Sequence, residues 1–399
     1  MQGELVINAL SQPQAIRQAG TDFQREVVCV LGLPFDVMGL EEAADRVVEA
    51  ALQRKPCLLS TANLNFVITA RADQAFRDSV IRSQMSLADG MPIVWVSRLL
   101  GLPIRERVPG SSLFETLQFG TSRPPVKVYF FGAPDGVAES ASAAINRTAG
   151  GVRCVGFEAP GYGSVEAMSG HAHTEPINLA DPDFVVVSLG AQKGQAWIEM
   201  NRNALKAPVI SHLGAVVNFA AGSVKRAPVR LQKLGLEWLW RIKEEPQLWR
   251  RYAGDAFKFA ELLGGRVLPL WWEQTWARSR RASAAFSVEG SAVGAVYQLR
   301  LRGGCGSHHL PELRAAVADA GAAGRAVVLD LTDVHHIDAA AMGTLLLLYG
   351  HQRDIRQPLE LVGVSARLRR HFRYHCTDYL LGPPERTLSW QALADVDSR

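Results

Sequence analysis

The chain has 399 residues, 48% of them hydrophobic and 21% charged, with a net charge of +4 at neutral pH. That length suggests two or three domains with sizeable cores, and so small a charge excess argues against wholesale nucleic-acid binding. Five cysteines (Cys29, Cys57, Cys154, Cys305 and Cys376) stand without a CxxC pair, which argues against a disulfide framework or zinc knuckle and for a reducing, cytoplasmic compartment.

Residues 1–25 carry Gln, Arg and Asp with no long apolar core, and read as a loose leader rather than a signal peptide. From residue 26 to about 221, strand-like and helix-like segments alternate. Val27–Leu31 is a short apolar run. Leu40–Gln53 has helical spacing, Cys57–Ser60 is β-prone and Asn65–Ser83 is helical. Val126–Phe131 reads as a strand, followed by a glycine-bearing turn (Gly132 to Gly136) and a helix; Val152–Phe157, Phe184–Leu189 and Val209–Leu213 are further strands. Such alternation predicts parallel strands with crossover helices, an α/β layered domain whose ligands sit beyond the carboxyl ends of the strands.

Composition then shifts. Residues 222–281 hold six of the nine tryptophans, and thirteen Lys or Arg against six Asp or Glu. Indole and positive charge on a helix suit an anionic membrane surface, although tryptophans at helical spacing also suit an ordinary core. No apolar run reaches the roughly 18–20 residues of a membrane span, so contact with a membrane would be peripheral. The Arg/Trp stretch fits nucleic acid poorly, because its tryptophans are spaced for a helix face rather than a phosphate track. Arg278 to Ala284 reads as a linker, and a second α/β pattern occupies residues 282–385 ahead of a tail at 386–399. Its elements are a strand at Val293–Leu301, a helix at His309–Ala320, a buried strand at Ala326–Leu331, a helix at Ala339–Tyr349, a strand at Leu359–Val362 and a helix at Ala366–Phe372.

Five loops could carry chemistry. Thr61 and Asn63 stand between a strand and a helix, as hydrogen-bonding groups or simply as a helix cap. Asp89, followed by Gly90, is either a turn residue or a carboxylate placed at a strand end to take a proton. Arg107, ahead of Gly110 and a helix start, would suit a phosphate, or is a surface arginine. Gly190 with Gln195, and His212 with Asn218, follow strands and belong at the same sheet edge as Gly132, where glycine-bearing loops can hold a pyrophosphate without specifying a dinucleotide. Paired histidines point in different directions, no metal-and-nucleotide DxD motif stands in the first domain, and no metal or cofactor is expected.

In order along the chain, STAN (60–63), ADGMPIVW (88–95), RVPGSSLF (107–114), VYFFGAPDGVA (128–138), SLGAQKGQAWI (188–198), HLGAVVNFAAGSVKRAP (212–228) and GLEWLWRIKEEP (235–246) resemble the WecG/TagA/CpsF glycosyltransferases. The resemblance implies a Rossmann-like parallel-sheet domain at 26–221 with a helical membrane-docking appendage at 222–281. It implies inverting, metal-independent transfer from a UDP-sugar to a polyprenyl-pyrophosphate-linked saccharide on the inner face of the plasma membrane, in exopolysaccharide or surface-glycan synthesis. Asp89 then resembles the general base, Thr61 and Asn63 its neighbours, and Arg107 an arginine near the pyrophosphate. Arg241, Arg250 and Arg251 match the appendage that closes over the leaving diphosphate. Gly132, Gly190, Gln195 and Asn218 fall to substrate binding. The chain departs from the family pattern at Ser112, Gly194, Gln195 and Asn218, which leaves a variant donor site or a weakened enzyme that scaffolds polysaccharide assembly.

Residues 326–332, 334–343 and 359–364 resemble a STAS domain. Alanines at 339–341 stand where regulatory members carry a phosphorylatable serine after Asp338, so a docking or regulatory module without that switch is implied, with a protein partner.

Overall fold

In the computed structural model, which describes residues 20–120, 124–224, 227–228, 230–231, 235–277 and 286–382, the first apolar run does not join the main sheet. Strand β1 (Val27–Val30) turns back antiparallel onto β2 (Leu33–Asp36). Leu31 (φ 51°) and Gly32 (φ 89°) form the two-residue connection, both left-handed, as a tight hairpin turn requires. Arg25 ties the hairpin down: its guanidinium donates to both Asp36 carboxylate oxygens at 3.0 and 2.6 Å and to the Ser83 carbonyl at 2.8 Å, while Asp36 also accepts from the Ser86 N–H at 2.6 Å. Both partners are buried, so removing either one would strand a charge at a cost of about 3–5 kcal/mol. Phe23 and Arg25 are thus fixed, and the stretch read as a loose leader is anchored at its end. Residues 1–19, the linker around 278–285 and the tail from 383 lie outside the described residues.

The main sheet holds β3 (Cys57–Ala62), β4 (Met85–Ala88), β5 (Val126–Phe131), β6 (Val152–Glu158), β7 (Phe184–Val187) and β8 (Val209–His212). All are parallel, in the spatial order β4-β3-β8-β7-β5-β6. Both faces are covered, and the pleat divides the side chains between them. Val128, Phe130 and Val186 point into one core, and Tyr129, Phe131, Val185 and Val187 into the other. Trp197 belongs to the second core: it is fully buried, stacks on Phe131 at 4.2 Å and donates its indole N–H to the Met168 carbonyl at 2.6 Å.

The helices, in chain order, are α1 (Leu40–Leu52), α2 (Leu64–Ala72), α3 (Gln74–Ile81), α4 (Met91–Leu99), α5 (Gly110–Phe119), α6 (Val137–Arg147), α7 (His171–Leu179), α8 (Ala191–Asn201) and the short α9 (Val216–Ala220). The single helix predicted over 65–83 breaks at Asp73, whose carboxylate accepts from the Phe76 N–H at 3.0 Å and caps α3. The appendage comprises α10 (Glu237–Glu244), α11 (Trp249–Leu262), a π-helical turn (Leu263–Val267) and α12 (Leu268–Ala277).

The second domain is a four-stranded sheet of β9 (Ser287–Val293), β10 (Val296–Cys305), β11 (Ala326–Ile337) and β12 (Leu359–Val362), in the order β12-β11-β10-β9. Only β9, which the sequence reading missed, runs antiparallel to its neighbour. Helices α13 (Leu310–Ala322), α14 (Ala339–Asp354) and α15 (Ala366–Tyr374) complete it. No helix among the described residues is long and apolar enough to cross a membrane.

Candidate active site

Parallel pairing of β3 and β4 sets Thr61 opposite Leu87 and Ala62 opposite Ala88. Asp89 therefore leaves β4 beside the end of β3, with its N–H on the Ala62 carbonyl at 3.0 Å. The Val108 N–H donates to the Ala88 carbonyl at 2.8 Å, which draws residues 107–110 to the same point. Gly110 then opens α5 directly against β3. A methyl group there would lie 2.4 Å from a Leu213 methyl and 3.1 Å from Thr61 Oγ1, so only glycine permits this approach.

Asp89 is half-buried and its carboxyl is pushed up to about 6. Removal from water is the main cause, and Arg107 opposes it; the Glu237 carboxylate adds to the rise, while the Gly110 N–H and Arg241 also pull it down. The site thus unites Asp89, Arg107 and the N-terminus of α5 with two residues of the appendage. Glu237, which the sequence reading passed over, holds Arg107 in an ion pair at 2.6 Å, both side chains about five-sixths covered (16% and 15% exposed). Arg241 keeps a looser partner, Glu245, at 3.9 Å, and its buried Nε has no hydrogen-bond partner among the described residues. Gly235, with φ at 73°, lets the appendage approach Met91: a methyl group there would come within 2.3 Å of Met91 Cγ.

The other predicted residues divide. Thr61 is buried beside Gly110. Asn63 acts as the cap of α2, accepting from the Phe66 N–H at 3.2 Å, and stays half-exposed at the site's rim. Gly132 (φ 89°) and Gly190 (φ 82°) both lie in loops beyond strand ends; Gly190 faces open space, whereas Gly132 packs on Leu189. Asn218 lies half-buried in α9. Gln195 does not face a ligand: it is 3% exposed, and its amide donates to Ser60 Oγ at 3.1 Å and accepts from Ser79 Oγ at 3.4 Å, because α8 turns that position onto the sheet. Arg250 and Arg251 are exposed and lie over the Trp249 and Tyr252 rings at 5.8 and 5.1 Å.

Gly194 has a direct physical reason. A methyl group there would sit 2.3 Å from His212 Cδ2, so the imidazole occupies the room that a larger side chain would need. His212 is 9% exposed, its Nε2 is buried without a partner among the described residues, and burial holds the ring down to about 4, hence neutral.

The family model described as "Glycosyl transferase WecG/TagA/CpsF family" matches residues 28–270, more than half of the chain. The chain belongs to this family. It is a glycosyltransferase. The WecG/TagA/CpsF match runs from the hairpin through the parallel sheet and the appendage to Leu270, in α12. A second model, "Mlab, STAS domain", matches residues 290–381. Among curated proteins, the chain is 28% identical over 199 residues to the N-acetylglucosaminyldiphosphoundecaprenol N-acetyl-beta-D-mannosaminyltransferase of Bacillus spizizenii strain W23, covering 50% of this chain and 76% of the relative. It is 26% identical over 226 residues to the enzyme of the same name from Staphylococcus aureus strain MW2, covering 56% of this chain and 86% of the relative. In the STAS domain, Asp338 caps α14, accepting from the Ala340 and Ala341 N–H groups at 3.0 and 2.9 Å, and Ala339 beside it is buried.

Proposed function

We propose that this glycosyltransferase moves an N-acetylhexosamine, with inversion, from a UDP-sugar to a polyprenyl-diphosphate-linked saccharide at the cytoplasmic face of the plasma membrane. The observation that carries the reading is Asp89: a half-buried carboxylate with its proton affinity raised to about 6, beside two guanidiniums and a helix N-terminus. Such a group is ionised at neutral pH yet basic enough to take a proton. In the proposed step the acceptor hydroxyl gives its proton to Asp89 while its oxygen bonds to the anomeric carbon. The bond from that carbon to the diphosphate oxygen breaks, and the electron pair leaves with UDP. Arg107, Arg241 and the N–H groups at the start of α5 stabilise the growing negative charge. Arg107 must first exchange Glu237 for the diphosphate, so donor binding and closure of the appendage are linked.

The relatives named above act, by their names, on a diphosphoundecaprenol-linked N-acetylglucosamine with N-acetylmannosamine as the transferred sugar. The first test is therefore purified protein with UDP-N-acetylmannosamine and a short polyprenyl-diphosphate N-acetylglucosamine. We expect a β-linked disaccharide product, and a loss of about 10²–10⁴ in rate for Asp89→Asn. Full activity of that variant would remove Asp89 as the base. Membrane contact is tested separately: binding to anionic vesicles should weaken with salt, and should fall when Trp271, Trp272 and Trp276 are replaced together by alanine.

A further inference from the structure

The STAS domain meets the glycosyltransferase domain along two seams. At the first, α14 lies flat on the β1–β2 hairpin and α3. Two glycines one heptad apart allow it: a methyl group at Gly343 would lie 2.9 Å from the Val27 carbonyl oxygen, and one at Gly350 would lie 3.1 Å from an Ile81 methyl. Around them, Asp78 of α3 accepts from the Tyr349 hydroxyl at 2.9 Å and from Arg353 Nε at 3.0 Å. The Tyr379 hydroxyl donates to the Gly32 carbonyl at 2.8 Å, and Arg202 pairs with Asp354 at 2.7 Å. Because α14 packs on its own sheet with the opposite face, it is buried nearly all round, as a helix between two layers must be.

At the second seam, α15 holds the appendage. Glu273 of α12 lies 3.2 Å from His371 Nε2 and 3.9 Å from Arg367 Nε, and Arg266 donates to the Arg373 carbonyl at 2.9 Å. Among the described residues from α10 to α12, the buried apolar side chains are Leu262, Val267 and Leu270. They share one core with Leu368 and Phe372 of α15. The opposite side of α12 carries Trp271, Trp272 and Trp276, which are 37%, 58% and 60% exposed. The appendage meets the catalytic domain through α11, which packs on α2 with Leu262 in the same core as Phe66 and Val67 and a 3.5 Å bond from Asn65 to Asp255, and through the Arg107–Glu237 pair.

We propose that the STAS domain acts in cis: its partner is the glycosyltransferase domain of its own chain, and it serves as a strut fixing the appendage and the α12 tryptophans relative to Asp89. The face of α14 is already occupied by the hairpin, so recruitment of a separate protein through that helix is not its role. The π-helical turn and α12 pack on α15, which supplies the apolar support that keeps this end of the appendage from hinging about the α11–α2 contact. The consequence for catalysis rests on the proposed lipid-linked acceptor; the mechanical role does not.

The experiment uses the full chain. Glu273→Ala with Arg367→Ala cuts the polar part of the second seam, Val267→Asp places an unpaired charge in its core, and Glu289→Ala, on the outer strand β9, is the control. Amide hydrogen exchange should rise roughly tenfold or more across residues 249–277 in both seam variants, with the parallel sheet and the control unchanged. Unchanged protection of 249–277 in both variants would overturn the strut. The same proteins are then assayed with a lipid-linked acceptor in vesicles and with a short-chain, water-soluble one. The vesicle rate should fall about tenfold while the soluble rate stays within about twofold. Equal rates, or equal losses, on the two acceptors would overturn the positioning role. The exchange measurement needs no substrate, so a failure of the proposed reaction leaves it standing as a separate result.

Discussion

Replacing Asp89 by asparagine should make the protein more stable while slowing transfer by about 10²–10⁴. The carboxyl moves from 3.8 to about 6 on folding. A tenfold change in proton affinity corresponds to about 1.4 kcal/mol, so the ionised group costs the native state at most about 3 kcal/mol above pH 6. The sign follows from where the proton binds more tightly. Between pH 3.8 and about 6 the folded chain holds this proton and the unfolded chain does not, so the group's favourable contribution is complete below 3.8 and is lost as pH rises through 6. Asparagine keeps the shape without the charge. Partial solvent access reduces the ceiling, so the expected gain is about 1–3 kcal/mol at pH 8, vanishing near pH 4. For a domain of this size that is a rise in melting temperature of roughly 2–4 °C per kcal/mol. Calorimetry of both proteins at pH 4 and pH 8 reads it directly. A variant that is less stable at pH 8, or equally shifted at both pH values, would refute the claim that Asp89 is a strained base held for function.

Three further outcomes follow from the geometry. Glu237→Gln removes a carboxylate that raises Asp89, so the acid limb of the pH–rate profile should move to lower pH; an unmoved limb would show that Glu237 does not act on the base. Gly194→Gln should cost about 1–3 kcal/mol by driving a side chain into the His212 ring, and the loss should shrink in a His212→Ala background, as a double-mutant cycle of denaturation midpoints would report. His212 and His375 are buried neutral, held down to about 4 and about 3. Their unfolded forms protonate first, so stability should be full above about pH 6.5 and decline as pH falls toward 4, opposite in sign to the Asp89 effect. The decline should be clearest in the Asp89→Asn protein, and a melting temperature there that stays flat from pH 7 to pH 4.5 would contradict it.

Much of the site was legible because its residues flank strand ends. The period of the apolar runs marks β3 and β4, and a residue that follows a buried parallel strand has only the carboxyl edge to occupy, which put Asp89, Thr61 and Arg107 at one place. Gln195 misled because α8 has two faces, and a loop motif does not tell which of them a residue one turn in will take. Glu237 was passed over because its partner Arg107 stands 130 positions away, and an acid in a basic helix reads locally as ordinary charge balance.

The sequence by itself determined the alternating α/β layers, the family, the placement of Asp89 at a strand end and the basic, tryptophan-rich character of the appendage. Those properties are written in local periodicity, turn chemistry and short strings. The tertiary structure alone decided that β1 and β2 leave the main sheet, that His212 fills the room beside Gly194, and that α14 and α15 grip the hairpin and the appendage. Each of these is a meeting of surfaces far apart in the chain. Apolar area is buried without regard to sequence distance, so a buried helix face declares that it has a partner but not which one.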